Sequence, residues 1–130
     1  MIFGFHASEF ETDDVALRVG FAEGENCEHY FIMQREEDSI EETLPNLENI
    51  YIERDDQCWG GYGGINQVSL GRNSLIIYLN PEMANQMSGY DTIKITFSVD
   101  DSQFQQLQNV LQQVMQGYES KLNLDENIKR

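Results

Sequence analysis

The stretch Ile93-Lys94-Ile95-Thr96-Phe97-Ser98-Val99-Asp100-Asp101-Ser102-Gln103-Phe104-Gln105-Gln106-Leu107 contains a change of hydrophobic period. Up to Phe97, apolar residues alternate with polar ones, as in a strand with one wet face. From Asp100 the period becomes helical. Asp100 and Gln103 have capping-box spacing. Phe104, Leu107, Leu111, Val114 and Tyr118 then recur on one face, widened by Val110 and Met115, while Gln105, Gln106, Gln108, Gln112 and Gln113 take the other. Gly117 is placed to end the helix. One amphipathic helix following a run of strands must lay its stripe on a sheet, which makes the class α+β.

Working back toward the N-terminus, alternation continues. Val15, Leu17, Val19 and Phe21 point one way, and the residues between them the other; Glu23-Gly24-Glu25-Asn26 then reads as a turn. Tyr30-Phe31-Ile32-Met33, within a run from His29 to Gln34, is apolar on both faces and reads as a central strand covered on each side. Shorter strands are expected at Ile2–His6 and Ile50–Glu53. Val68–Leu70 and Ser74–Leu79 flank Gly71-Arg72-Asn73, a hairpin loop whose Gly and Asn can take positive φ. Asn80-Pro81-Glu82 opens a short helix over 81–88. The expected architecture is an antiparallel sheet of about six to eight strands, the short helix, and one C-terminal helix packed on a sheet face. One domain spans residues 1–130, with Glu119–Arg130 expected to fray.

Charge is the unusual property. The 130 residues carry a net −15, and residues 1–60 alone hold 16 acids against Arg18, Arg35 and Arg54, a net of −13. Solubility needs a magnitude of only roughly 2–8 in a small domain. The excess argues against direct binding to nucleic-acid phosphates or an anionic membrane and suits a basic protein partner, such as a nuclease. The alternative is a solvated acidic surface with no partner. No apolar run approaches the ~20 residues of a membrane helix. The opening Met1-Ile2-Phe3-Gly4-Phe5 lacks a charged-then-apolar signal segment, so the expected compartment is the cytoplasm, with Cys27 and Cys58 reduced.

Candidate chemistry is thin. Cys27, Glu28 and His29 invite a metal reading, but neighbours on a strand diverge, and no metal or other cofactor is expected. Cys58-Trp59-Gly60-Gly61-Tyr62-Gly63-Gly64 fails the dinucleotide fingerprint at Asn66 and lacks the Lys-Ser/Thr of a P-loop. Two readings of it remain: a sharp bend or bulge, or a mobile loop presenting Trp59 and Tyr62 as contact anchors. Glu36-Glu37-Asp38, Glu41-Glu42 and Asp55-Asp56 are runs of adjacent acids. Such runs are usually wet, whereas catalytic pairs need one desolvated member. With no nucleophile elbow or triad context either, the chain reads as a non-enzyme.

Taken together, Tyr51-Ile52-Glu53-Arg54-Asp55-Asp56-Gln57-Cys58-Trp59-Gly60-Gly61-Tyr62-Gly63-Gly64-Ile65, the hairpin after it, the strand His29–Arg35 before it and the C-terminal helix resemble the immunity protein 10 family of bacterial polymorphic toxin systems. The resemblance runs from about residue 10 to 117. It implies a cytoplasmic, non-enzymatic antidote that binds a cognate toxin domain and protects the producing cell and its kin in contact-dependent competition. Charge, rather than the resemblance, makes the toxin basic and a nuclease its suggested class. On this reading Glu36, Glu37, Asp38, Glu41, Glu42, Asp55 and Asp56 steer the toxin, and Trp59 and Tyr62 anchor it over its active site or substrate groove. A monomer is favoured. The rival reading is a non-catalytic adaptor or self-assembling subunit of a larger complex.

Overall fold

The alternating segments divide between two sheets. The computed structural model describes residues 1–24, 29–36 and 43–124. The chain opens with β1 (Ile2–Ala7) and then makes a meander of β2 (Glu9–Asp13), β3 (Arg18–Ala22), β4 (Tyr30–Arg35), β5 (Ile50–Arg54) and β6 (Asp56–Tyr62). It continues through β7 (Ile65–Gly71), β8 (Ser74–Leu79), α1 (Pro81–Gln86), β9 (Thr92–Phe97), α2 (Asp101–Val114) and β10 (Leu122–Leu124). The first sheet has the order β1-β9-β8-β7-β10 and the second the order β2-β3-β4-β5-β6. The α+β class is as the sequence reads, with ten strands in two sheets among the described residues where about six to eight in one were expected. Antiparallel pairing is also incomplete: β1 runs parallel to β9, and β10 parallel to β7. The chain changes sheet at Ser8 and again at Gly63-Gly64, whose φ values of 80° and 78° only glycine adopts without strain.

The inner faces share one core. Phe3, Phe5, Ile93, Ile95, Leu75, Ile77, Val68 and Leu70 from the first sheet join Val19, Phe21, Phe31, Met33, Ile50 and Ile52 from the second. Phe21 stacks on Phe97 across the two, ring centroids 5.7 Å apart. The helical stripe forms as its spacing predicts, with Phe104, Leu107, Val110, Leu111, Val114, Met115 and Tyr118 all buried. Asp100 and Gln103 make the reciprocal capping box, and Gly117, at φ 88°, follows the helix end. Arg35 fastens that end to β4. Its buried Nη1 donates to the carbonyls of Val114 (3.1 Å) and Gln116 (2.5 Å), a cation at the negative pole of the helix. Asn80 caps α1 by accepting from the Met83 amide.

Three local expectations change. Val15 is 79% exposed, not part of a strand: Asp13 Oδ1 accepts from the Val15 and Ala16 amides, each at 2.9 Å, and folds Asp13–Leu17 into a turn that ends with Leu17 at φ 52°. In the β7–β8 hairpin neither Gly71 nor Asn73 takes positive φ. Where fraying was expected, a 3-10 turn at Glu119–Lys121 leads into β10, which gains ladder bonds from β7; residues 125–130 lie outside the described ones.

Candidate functional site

Strand register decides which side chains share a face. In the second sheet, Phe10, Val19, Phe21, Phe31, Met33 and Ile52 point to the core. Their neighbours point out: Glu9, Glu11 and Asp13 on β2; Arg18, Gly20 and Ala22 on β3; Tyr30, Ile32 and Gln34 on β4; Tyr51 and Glu53 on β5; Gly60 and Tyr62 on β6. α2 packs against β2 and β3, its stripe joining Val19 and Phe21 in the core, so among the described residues this outer face is left open. A groove of about 320 Å³ runs along it, lined by Glu9, Glu11, Gly20, Ala22, Tyr30 and Ile32 with Phe10 and Phe21 at its floor.

A carboxylate lies at the centre of the tyrosines. Tyr30 donates its hydroxyl to Glu53 Oε2 and Tyr51 donates to Glu53 Oε1, each at 2.5 Å. Glu53 is 8% exposed, and among the described residues no basic side chain pairs with it. Burial, then the Glu53 hydrogen bond, pushes the Tyr51 hydroxyl up to about 12 and raises that of Tyr30 as well. Tyr62, 55% exposed, donates to Glu36 Oε1 at 2.6 Å, and this bond raises its hydroxyl too. The Tyr51 and Tyr62 rings meet at 5.1 Å with a 56° tilt.

The glycine-rich segment explains this arrangement. Cys58–Tyr62 is part of a strand rather than a loop, and the bend falls at Gly63-Gly64. Gly60 stands beneath Tyr51, where a Cβ would come within 2.7 Å of the Tyr51 hydroxyl. Its missing side chain leaves room for the Tyr51 hydroxyl where it bonds Glu53. Gly64 serves α1, since a Cβ there would sit 2.4 Å from Met83 Cβ.

Trp59 faces the other way and is half-buried. It packs on the buried Arg54, whose guanidinium carbon lies 4.3 Å from the Trp59 ring centroid, 4.6 Å from Phe3 and 4.9 Å from Tyr90. Arg54 also donates to the Met87 carbonyl at 2.9 Å and pairs with Asp55 at 3.3 Å. Asp55 is likewise turned inward: it accepts from the Tyr30 amide and from His29 Nδ1 at 3.0 Å. Its charge is therefore matched within the fold by Arg54. Glu36 and Asp56 are exposed, and Asp56 Oδ1 accepts from the Cys58 amide. Glu37, Asp38, Glu41 and Glu42 lie outside the described residues, as do Cys27 and Glu28. Of the sequence candidates, the structure joins Glu36 to Tyr62 and separates both from Trp59. Sequence reasoning passed over Tyr30, Tyr51 and Glu53. Their signal is the i, i+2 spacing of Tyr51 and Glu53 opposite a strand glycine, but the cross-strand register that unites them is tertiary information.

Charge is sorted by depth. Arg35 and Arg54, two of the three bases in residues 1–60, are buried, and Arg18 is paired with Glu11 at 3.2 Å. Glu9, Glu11, Asp14, Glu23, Glu36, Glu48 and Asp56 are exposed. A comparison with protein-family models matches Immunity protein 10 over residues 5–105. The chain belongs to this family. Membership of an immunity protein family implies a toxin as binding partner and suggests a non-enzymatic role. No curated protein and no solved structure matches the chain. Among the described residues, no helix is long and apolar enough to cross a membrane.

Proposed function

We propose that this immunity protein neutralises a basic toxin domain, a nuclease being the class best suited to its charge, by covering the toxin's active site or substrate groove in the cytoplasm. The observation that carries this is the inward placement of Arg35 and Arg54, which leaves the acid-rich half with exposed carboxylates and almost no exposed base. Such a surface attracts a cationic protein over distances of about a Debye length and raises its association rate. Glu36 and Asp56 are steering charges, with Glu37, Asp38, Glu41 and Glu42 of the same acidic stretch. Tyr62 is an anchor on the exposed face, while Trp59 acts mainly from within, by holding Arg54. Stopped-flow association with the toxin, from about 20 to about 500 mM salt, tests the reading. The association rate is expected to fall at least about tenfold. A rate independent of salt refutes the basic partner.

A further inference from the structure

We infer that the toxin lands on the outer face of the second sheet and meets it with an arginine, seated on the Tyr51 and Tyr62 rings within the field of Glu53 and Glu36. This rests on the basic partner proposed above and adds a location and the recognising side chain.

Charge complementarity selects the face. Among the described residues, two sheet faces are left open. That of the first sheet carries Gly4, His6, Ile76, Thr92, Lys94 and Thr96, with no acid among them. That of the second carries Glu9, Glu11, Asp13 and Glu53, with Glu36 alongside, and its one base, Arg18, is engaged by Glu11. A cationic protein is drawn to the second.

The tyrosines make this face an anchor as well as an attractor. Their hydroxyls are tied to Glu53 and Glu36, so the rings are already ordered and binding costs little further side-chain entropy. The Tyr51 hydroxyl passes close over Gly60 and its ring meets that of Tyr62, which puts an aromatic pair beside a carboxylate. A guanidinium suits that pair better than an ammonium, because it is planar, weakly hydrated and stacks on rings while its N–H groups reach a carboxylate. Glu53 has only phenolic donors among the described residues, and an arriving arginine would bring it a cation in a site of low polarity. The protein uses the same chemistry internally, where Arg54 sits on Trp59.

Two peptides, (Gly-Arg)4 and (Gly-Lys)4, titrated into the 15N-labelled protein test this directly. The arginine peptide is expected to shift the amides of Ala22, Ile32, Tyr51 and Tyr62 and to bind at least about threefold more tightly than the lysine peptide. Tyr62→Ala should reduce it to the lysine value. Equal affinities, shifts centred on Lys94 and Thr96, or no effect of Tyr62→Ala would overturn the inference. With the toxin, Tyr62→Ala and Ala22→Arg, the latter lining the open groove, should each speed dissociation at least about tenfold. A toxin that associates in a salt-dependent way yet ignores both substitutions removes this face and leaves the basic partner standing. A toxin whose association ignores salt removes the partner itself.

Discussion

Replacing Gly60 with Ala should uncouple Tyr51 from Glu53. The added Cβ would stand 2.7 Å from the Tyr51 hydroxyl, 3.0 Å from the Ile52 carbonyl oxygen and 3.3 Å from Glu53 Cβ. The tyrosine can swing away, at the loss of a hydrogen bond to a carboxylate worth roughly 1.5–3 kcal/mol. The Ile52 carbonyl is backbone in a paired strand, and easing that contact adds about 1 kcal/mol. Alanine restricts the unfolded chain and recovers about 0.5–1 kcal/mol. The net loss is about 2–3 kcal/mol, read as a lower urea midpoint at unchanged slope. Tyr51→Phe and the double variant sharpen the test. The hydrogen bond can be lost only once, so the double variant should cost at least about 1 kcal/mol less than the sum of the singles. Strict additivity, or a Gly60→Ala protein within about 0.5 kcal/mol of the parent, would show that the glycine is not there for the tyrosine.

Two further outcomes follow from the same geometry. Arg54→Met fills similar volume but leaves Asp55 without its buried cation and the Met87 carbonyl without its donor; a loss of about 3–5 kcal/mol by calorimetry is expected, and one under about 1 kcal/mol would rule out a central role for the ring-stacked arginine. In an alkaline titration followed by ultraviolet difference spectroscopy, Tyr30, Tyr51 and Tyr62 should each ionise above the ordinary tyrosine value, Tyr51 near 12 rather than 10. Because its folded value is the higher one, the stability from Tyr51 is intact below pH 10 and is lost as pH climbs toward 12, a loss that Tyr51→Phe should abolish.

What could be read from the chain was what local rules determine. The cap at Asp100, the apolar stripe to Tyr118 and the Asn80-Pro81 start depend on residues within a few positions of one another, and each forms as read. β4 is central, as its apolar residues on both faces suggest, but among the described residues the cover expected on each side is missing from the outer one, where Tyr30 and Ile32 line the groove. Alternation misled at Val15, because a single Asp13 carboxylate, with two amide bonds, outweighs a periodic pattern. The tyrosine face was hidden for another reason. Gly60 announces that something comes close, but only the pairing of Tyr51 with Tyr62 and Glu53 with Gly60 says what it is. The division into two sheets was equally non-local, since β1 finds β9 some ninety residues away.

Withdrawing Arg35 and Arg54 into the interior has a consequence for when the molecule becomes attractive. In the extended polypeptide those guanidinium groups stand among the acids and offset them locally. Net charge is the same in both states, so what folding adds is arrangement: carboxylates fixed on one exterior with few bases among them. A misfolded copy keeps the charge but not the patterned face on which a cationic enemy would be held, so the cell's stock of correctly finished copies, rather than its total output, sets how much of that enemy is captured.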